Sequence, residues 1–260
     1  MRRDNSGFTA GSILGGTMYR TTLGLALASL FFPTIGHTAD STTDSLYSYA
    51  QGTYTSQDLD TDLGDDDADG FGLSASWLFL PNAYVFARGD FTSPDKGDDA
   101  RTFSIGAGHR LPIADIRSDL DDAGQIDAYV EASYENLEYE SSFGLSDTQV
   151  EGDSDGFGAT LGIRWLTTPN TELNPYIGYV NYGEPDIEVR GPFGRSSGSI
   201  DETLDGIRFG VRGVLDLTPR VSIVAGFERT QLDVDGTDID ITTLRAGLRW
   251  YFPSSGITVR

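Results

Sequence analysis

The 260-residue sequence has no cysteine, two histidines and 18 lysine plus arginine side chains against 40 acidic ones. Without cysteine, no disulfide framework, thiolate metal site or thiol nucleophile can form. A formal net charge of −22 repels polyanions and argues against nucleic acid as a partner. Imidazole chemistry has little to draw on. His37 falls in an N-terminal address segment, and His109 shares its phase with Phe103, Ile105 and Ala107, an apolar face, beside the turn at Leu111-Pro112. Rim catalysis by Asp/His or Ser/His groups lacks its base there, so the chain is read as not an enzyme. Long hydrophobic runs are missing too. The apolar stretch Leu23 to Phe32 is shorter than the roughly 20 residues a membrane helix needs.

That stretch follows Arg20 and precedes Pro33, which is the layout of a secretory signal peptide. Residues 1–39 are therefore expected to be a signal peptide, with Met18 as an alternative start, and residues 40–260 to be one β-barrel domain. Removing 1–39 takes away Arg2, Arg3, Arg20 and Asp4, leaving 15 basic and 39 acidic side chains.

What the sequence does contain is period-two alternation. Phe71, Leu73, Ala75, Trp77 and Phe79 alternate with Gly72, Ser74 and Ser76. The same pattern runs through 157–165, 207–215 and 244–252, and more weakly through 46–55, 83–91, 102–110, 128–137, 176–182 and 221–230. About ten strands are expected, of the roughly 9 to 11 residues that cross a bilayer at a tilt, with eight as the alternative. An internal repeat supports hairpin pairing: Asp69-Gly70-Phe71-Gly72 is echoed by Asp155-Gly156-Phe157-Gly158 and more faintly by Asp205-Gly206. Short connectors containing Pro81, Pro169 and Pro219 alternate with long polar segments at 58–69, 141–155 and 183–203. The fold class expected is all-β, an antiparallel up-and-down transmembrane β-barrel with short turns on one side and long acidic loops on the other.

The polar face is charged. Arg88, Asp90, Glu131, Glu135, Arg164, Arg208, Arg212, Glu228, Arg245 and Arg249 share it with Gly, Ser and Thr, while aromatic residues cap both ends of the apolar face. Aromatic belts favour a membrane over a soluble sandwich. The inward charges form either an ion-paired plug or a narrow charge-lined pore.

The chain resembles the small outer-membrane β-barrel proteins of the OmpA/OmpX and porin-like superfamily. In that family a final strand with a polar residue, a Gly and two late hydrophobics is read by the barrel-insertion machinery. Arg245, Gly247, Trp250 and Phe252 match it, although Pro253 to Arg260 continue past the usual end. The resemblance implies placement in the outer membrane, in contact with its lipids and lipopolysaccharide.

No cofactor is expected apart from a divalent cation. Asp65, Asp67 and Asp69 before Gly70, and Glu151, Asp153 and Asp155 before Gly156, imitate the first half of a calcium loop without its closing Glu. The alternatives are a solvated acidic hairpin end, or Ca²⁺ or Mg²⁺ bridging these loops to lipopolysaccharide phosphates. The leading expectation for function is a closed barrel with a structural or surface-interaction role through its outer loops; the alternative is a narrow channel for small solutes.

Overall fold

A computed structural model describes residues 46–61, 64–94, 99–115, 125–143, 148–191, 194–199, 202–234 and 237–252. Residues 1–39, the expected signal peptide, and the tail Pro253 to Arg260 lie outside the described residues.

Twelve strands are present among the described residues: β1 Tyr49–Thr61, β2 Gly64–Leu80, β3 Ala83–Pro94, β4 Ala100–Asp115, β5 Gln125–Phe143, β6 Thr148–Thr168, β7 Thr171–Asn181, β8 Asp186–Gly191, β9 Gly194–Ser199, β10 Asp205–Thr218, β11 Val221–Val234 and β12 Thr237–Tyr251. Each pairs antiparallel with its sequence neighbour from β1 to β7. β7 then pairs with β10, and β12 returns to β1, which closes a ten-stranded barrel. Closure leaves no lipid-facing edge with unpaired backbone groups, as a bilayer requires. β8 and β9 form a hairpin outside the ring and continue the sheet from β6, where Gln149 to Asp153 pair with Arg190 to Asp186.

The ten barrel strands fall where the alternation places them, so ten rather than eight is correct. β7 is the least legible because Pro175 sits within it. Proline gives no N–H to the ladder, and the β6–β7 register has no pairs between Gly162↔Tyr176 and Trp165↔Leu173.

The expected long loops are corrected. β1 runs to Thr61 and β2 starts at Gly64, β5 runs to Phe143 and β6 starts at Thr148, and 183–203 contains β8 and β9. β6 has 21 residues, about twice what a bilayer crossing needs, so the strands at this end stand clear of the membrane. The opposite end carries both ends of the barrel chain and the tight turns at Pro81-Asn82, Pro169-Asn170 and Pro219-Arg220.

Polarity is inverted relative to a soluble protein. Phe71, Leu73, Leu161, Ile177, Leu244 and Leu248 are exposed on the outside, whereas Arg249, Arg164, Glu131 and Glu135 are buried inside. The three tryptophans, Trp77, Trp165 and Trp250, lie at the short-turn end of the apolar band. Phe71 stacks on Phe91 (4.9 Å) and Phe157 packs against Tyr179 (6.1 Å) at the other end. Aromatic girdles above and below an apolar belt mark the two bilayer interfaces.

The Asp-Gly repeat acquires a physical meaning. Tyr134 donates to Asp155, Tyr179 donates to Asp205 at 3.0 Å, and Tyr54 is hydrogen-bonded to Asp69. Each pair joins a girdle tyrosine to an aspartate just beyond the band on the neighbouring strand. The glycine that follows is also constrained. A Cβ at Gly70, Gly156 or Gly206 would run into the carbonyl oxygen of Phe91, Asn181 or Gln231 on the next strand.

Candidate functional site

Among the described residues, the buried charged groups converge in the lumen. All ten expected lumen residues are on the inner face. Arg88 meets Glu131 at 2.6 Å, and Arg208 meets Glu135 at 2.9 Å. Arg245 bridges Asp90 (3.3 Å) and Glu228 (3.1 Å). Arg164 and Arg249 lie 3.8 and 4.0 Å from the Glu172 carboxylate. Arg212 lies 5.8 Å from the centre of the Tyr176 ring. Charge-assisted hydrogen bonds of this kind neutralise groups that would otherwise be costly in a low-dielectric interior.

Tyrosines complete the lattice. Tyr84 donates to Glu131 at 3.0 Å and Tyr176 to Glu228 at 2.7 Å, while Tyr129 donates to Asn174 at 3.1 Å. Arg249 donates through Nε and Nη2 to Gln51 Oε1, both at 3.0 Å, with its guanidinium over the Tyr49 ring at 4.1 Å. A cavity of about 160 Å³ remains among these groups.

Both ends of the lumen are apolar. Toward the short turns, Leu46, Tyr47, Tyr49, Leu78, Tyr84, Phe86 and Tyr251 pack together, with Leu166 against them. The segment entering β1 supplies the centre of this seal. Tyr47 is fully buried, the Arg164 guanidinium lies over its ring at 4.1 Å, and its hydroxyl reaches Asp127 at 3.5 Å. Arg164 also donates to the Leu46 carbonyl, and Ser76 donates to that of Tyr47 at 2.8 Å. Toward the outside, Val180, Tyr182, Leu204 and Leu232 pack with Leu137, Ile239 and Ile241. Backbone bonds from Tyr182 to Leu204 (2.8 Å) and from Leu204 to Gly183 (3.0 Å) extend the β7–β10 ladder past Asn181 and Asp205 at this end.

Glu172, Asp127, Arg110 and Tyr47 belong to the lattice and were not among the expected residues. A signal existed for three of them, since Glu172 alternates with Leu173, Asp127 is in phase with Glu131, and Arg110 is out of phase with the exposed His109. Tyr47 precedes its strand and carries no period to read.

The expected cation residues are placed differently from a loop. Asp65, Asp67 and Asp69 lie in β2, and Glu151, Asp153 and Asp155 in β6; Asp67, Asp69, Glu151, Asp153 and Asp155 are on the outward face above the apolar band, and the side chain of Asp65 is outside the described residues. Alternate residues along a strand are about 7 Å apart, too far to wrap one cation as a calcium loop does at about 2.4 Å per ligand. Among the described residues no three His, Cys, Asp or Glu side chains converge on a metal position. Their neighbours are other partners. Asn136 Nδ2 donates to Asp153 and Asp155, both at 2.9 Å, and Arg190 pairs with Glu151 at 2.7 Å. On the neighbouring hairpin, partial burial works against the Glu188 carboxylate, but hydrogen bonds from Arg190 and Arg195 hold it below the usual glutamate range.

The matched final strand is present. Arg245 and Gly247 face the lumen, Trp250 faces outward, and Phe252 lies one residue beyond β12, its N–H bonded to the Ser48 carbonyl at 2.9 Å.

A closed antiparallel barrel, apolar outside and charged within, is the architecture of an outer-membrane β-barrel. No protein-family model and no curated protein matches the sequence. Among solved structures, the chain is similar to Neisserial surface protein A (15% identity over 78% of this chain and 96% of that one, TM-score 0.37). It is also similar to the attachment invasion locus protein Ail of Yersinia pestis (14%, 78% and 97%, TM-score 0.36) and to the outer membrane protease OmpT of Escherichia coli (12%, 79% and 94%, TM-score 0.44). At such identities the likeness is of one barrel to another and says nothing of activity.

Proposed function

We propose that the protein is an outer-membrane barrel closed to solute flow, with a structural or surface-interaction role and no catalytic one. The observation that carries this reading is the lumen: a lattice of paired charges enclosed between two apolar seals, one around Tyr47 and one around Tyr182 and Leu204. Its interacting parts are the acidic strand ends and the β8–β9 hairpin beyond the outer girdle. Refolded protein in a planar bilayer is expected to give no discrete current steps. Stable steps would instead establish the narrow solute channel.

The outward carboxylates, Asp67, Asp69, Asp153 and Asp155, sit just beyond the girdle, where the phosphates of lipopolysaccharide would repel them. In this reading Ca²⁺ or Mg²⁺ bridges carboxylate to phosphate, and outer-leaflet lipid is the partner of this face. Chelation of divalent ions in lipopolysaccharide-containing membranes is expected to speed proteolysis of the outer ends of β2 and β6; an unchanged rate would remove the bridge. Arg245, Gly247, Trp250 and Phe252 serve the insertion machinery.

A further inference from the structure

We infer that the central cavity holds a small inorganic monoanion beside Arg212. Five arginines line this space, and the four carboxylates lining it are all taken: Glu131 by Arg88 (2.6 Å), Glu135 by Arg208 (2.9 Å), and Asp90 and Glu228 by Arg245 (3.3 and 3.1 Å). A fourth, Arg164, lies 3.8 Å from Glu172. Arg212 alone has no carboxylate partner among the described residues; its contact is the Tyr176 ring at 5.8 Å. A guanidinium remains charged at any pH a protein tolerates, and an uncompensated charge that is half-buried in the lumen is costly.

A second orphan donor stands next to it. Asn174 is the register partner of Arg212 across β7 and β10, so their side chains leave the sheet about 5 Å apart on the lumen face. Asn174 is 1% exposed; its oxygen accepts from Tyr129, and its Nδ2 has no acceptor. Arg212 lines a cavity of about 160 Å³, and together with the unpaired Asn174 amide beside it on the neighbouring strand it forms a donor set for one small anion. The site goes beyond the closed-barrel reading and does not rest on it, because Arg212 lacks a carboxylate whether or not the seals hold.

The probe is bromide or chloride against gluconate, a much bulkier anion, at equal ionic strength. The unfolding midpoint of the detergent-refolded barrel is expected to rise with halide and saturate, by about 3–5 °C at tenfold excess over the dissociation constant. Arg212→Gln is expected to lose this response and, in gluconate, to melt above the wild type, since it removes a charge without a counterion. A purely structural role through Tyr176 would lower its midpoint in both salts. An equal halide response in Arg212→Gln, or none in the wild type, overturns the site. Should Arg212→Gln fail to give the heat-modifiable band of a folded barrel, anomalous scattering from wild-type crystals grown in sodium bromide decides: a peak between Arg212 and Asn174 supports the site, and its absence overturns it.

Discussion

Replacing Glu131 by Gln keeps the shape of the side chain and removes its charge, leaving Arg88 uncompensated. The pair is close, at 2.6 Å, and unequally buried, with side-chain exposures of 27% for Arg88 and 6% for Glu131. Breaking a fully buried ion pair by removing one partner costs about 3–5 kcal/mol, whereas a solvated pair contributes about 0.2–1 kcal/mol. Since Arg88 borders the cavity and is partly screened, the expected loss is about 2–3 kcal/mol. Glu131→Gln also keeps an acceptor for the Tyr84 hydroxyl, so that 3.0 Å bond does not confuse the result. The double variant Arg88→Met/Glu131→Gln, which leaves no unpaired charge and keeps the Tyr84 acceptor, is expected to fall within about 1 kcal/mol of wild type. Denaturant unfolding in detergent, followed by tryptophan fluorescence, measures both. A loss below about 0.5 kcal/mol in the single variant would mean that a water-filled pore screens the pair and would refute the packed lumen. A double variant as unstable as the sum of its single changes would refute the charge argument separately.

Tyr47→Ala removes the centre of the inner seal and should cost about 3–4 kcal/mol, whereas Tyr47→Phe, which loses only the 3.5 Å contact to Asp127, should cost less than about 1 kcal/mol; the same unfolding assay separates them. Gly156→Ala drives a methyl into the Asn181 carbonyl and is expected to abolish or slow formation of the compact barrel band on unheated gels, while Gly198→Ala, with nothing near its Cβ, should leave it unchanged. The β8–β9 hairpin should loosen in acid. The Glu188 carboxylate is held below its ordinary range by Arg190 and Arg195, so its contribution is complete above that range and is lost as pH falls through the lowered value. Amide exchange across 186–199 should therefore accelerate at low pH in the wild type and show a weaker acid response in Glu188→Gln.

Several parts of this molecule were legible without coordinates because a bilayer imposes one rule on every crossing strand. Phe71, Leu73, Ile177 and Leu248 must face lipid, so Gly72, Asn174, Tyr176 and Arg249 face the interior, and the inner-face arginines and acids follow from phase alone. The rule stops at the girdle. Beyond it the outward positions are Asp67, Asp69, Asp153 and Asp155, which carry no hydrophobic period, and strands sustained by backbone pairing read as loops. Pro175 hid half of β7 for a related reason, since the ladder around it tolerates the gap that a sequence pattern takes for an end.

The sequence by itself determined the barrel and the side each residue faces within the apolar band, because alternation and lipid contact are local constraints; ten strands rather than eight was decided by the closed ring. Only the tertiary structure decided which charges meet. Arg245 reaches Asp90 across 155 positions of sequence, and Tyr47, Asp127 and Glu172 come together only when the ring closes. Pairing depends on stagger between strands and on the reach of long side chains, neither of which leaves a period in the sequence.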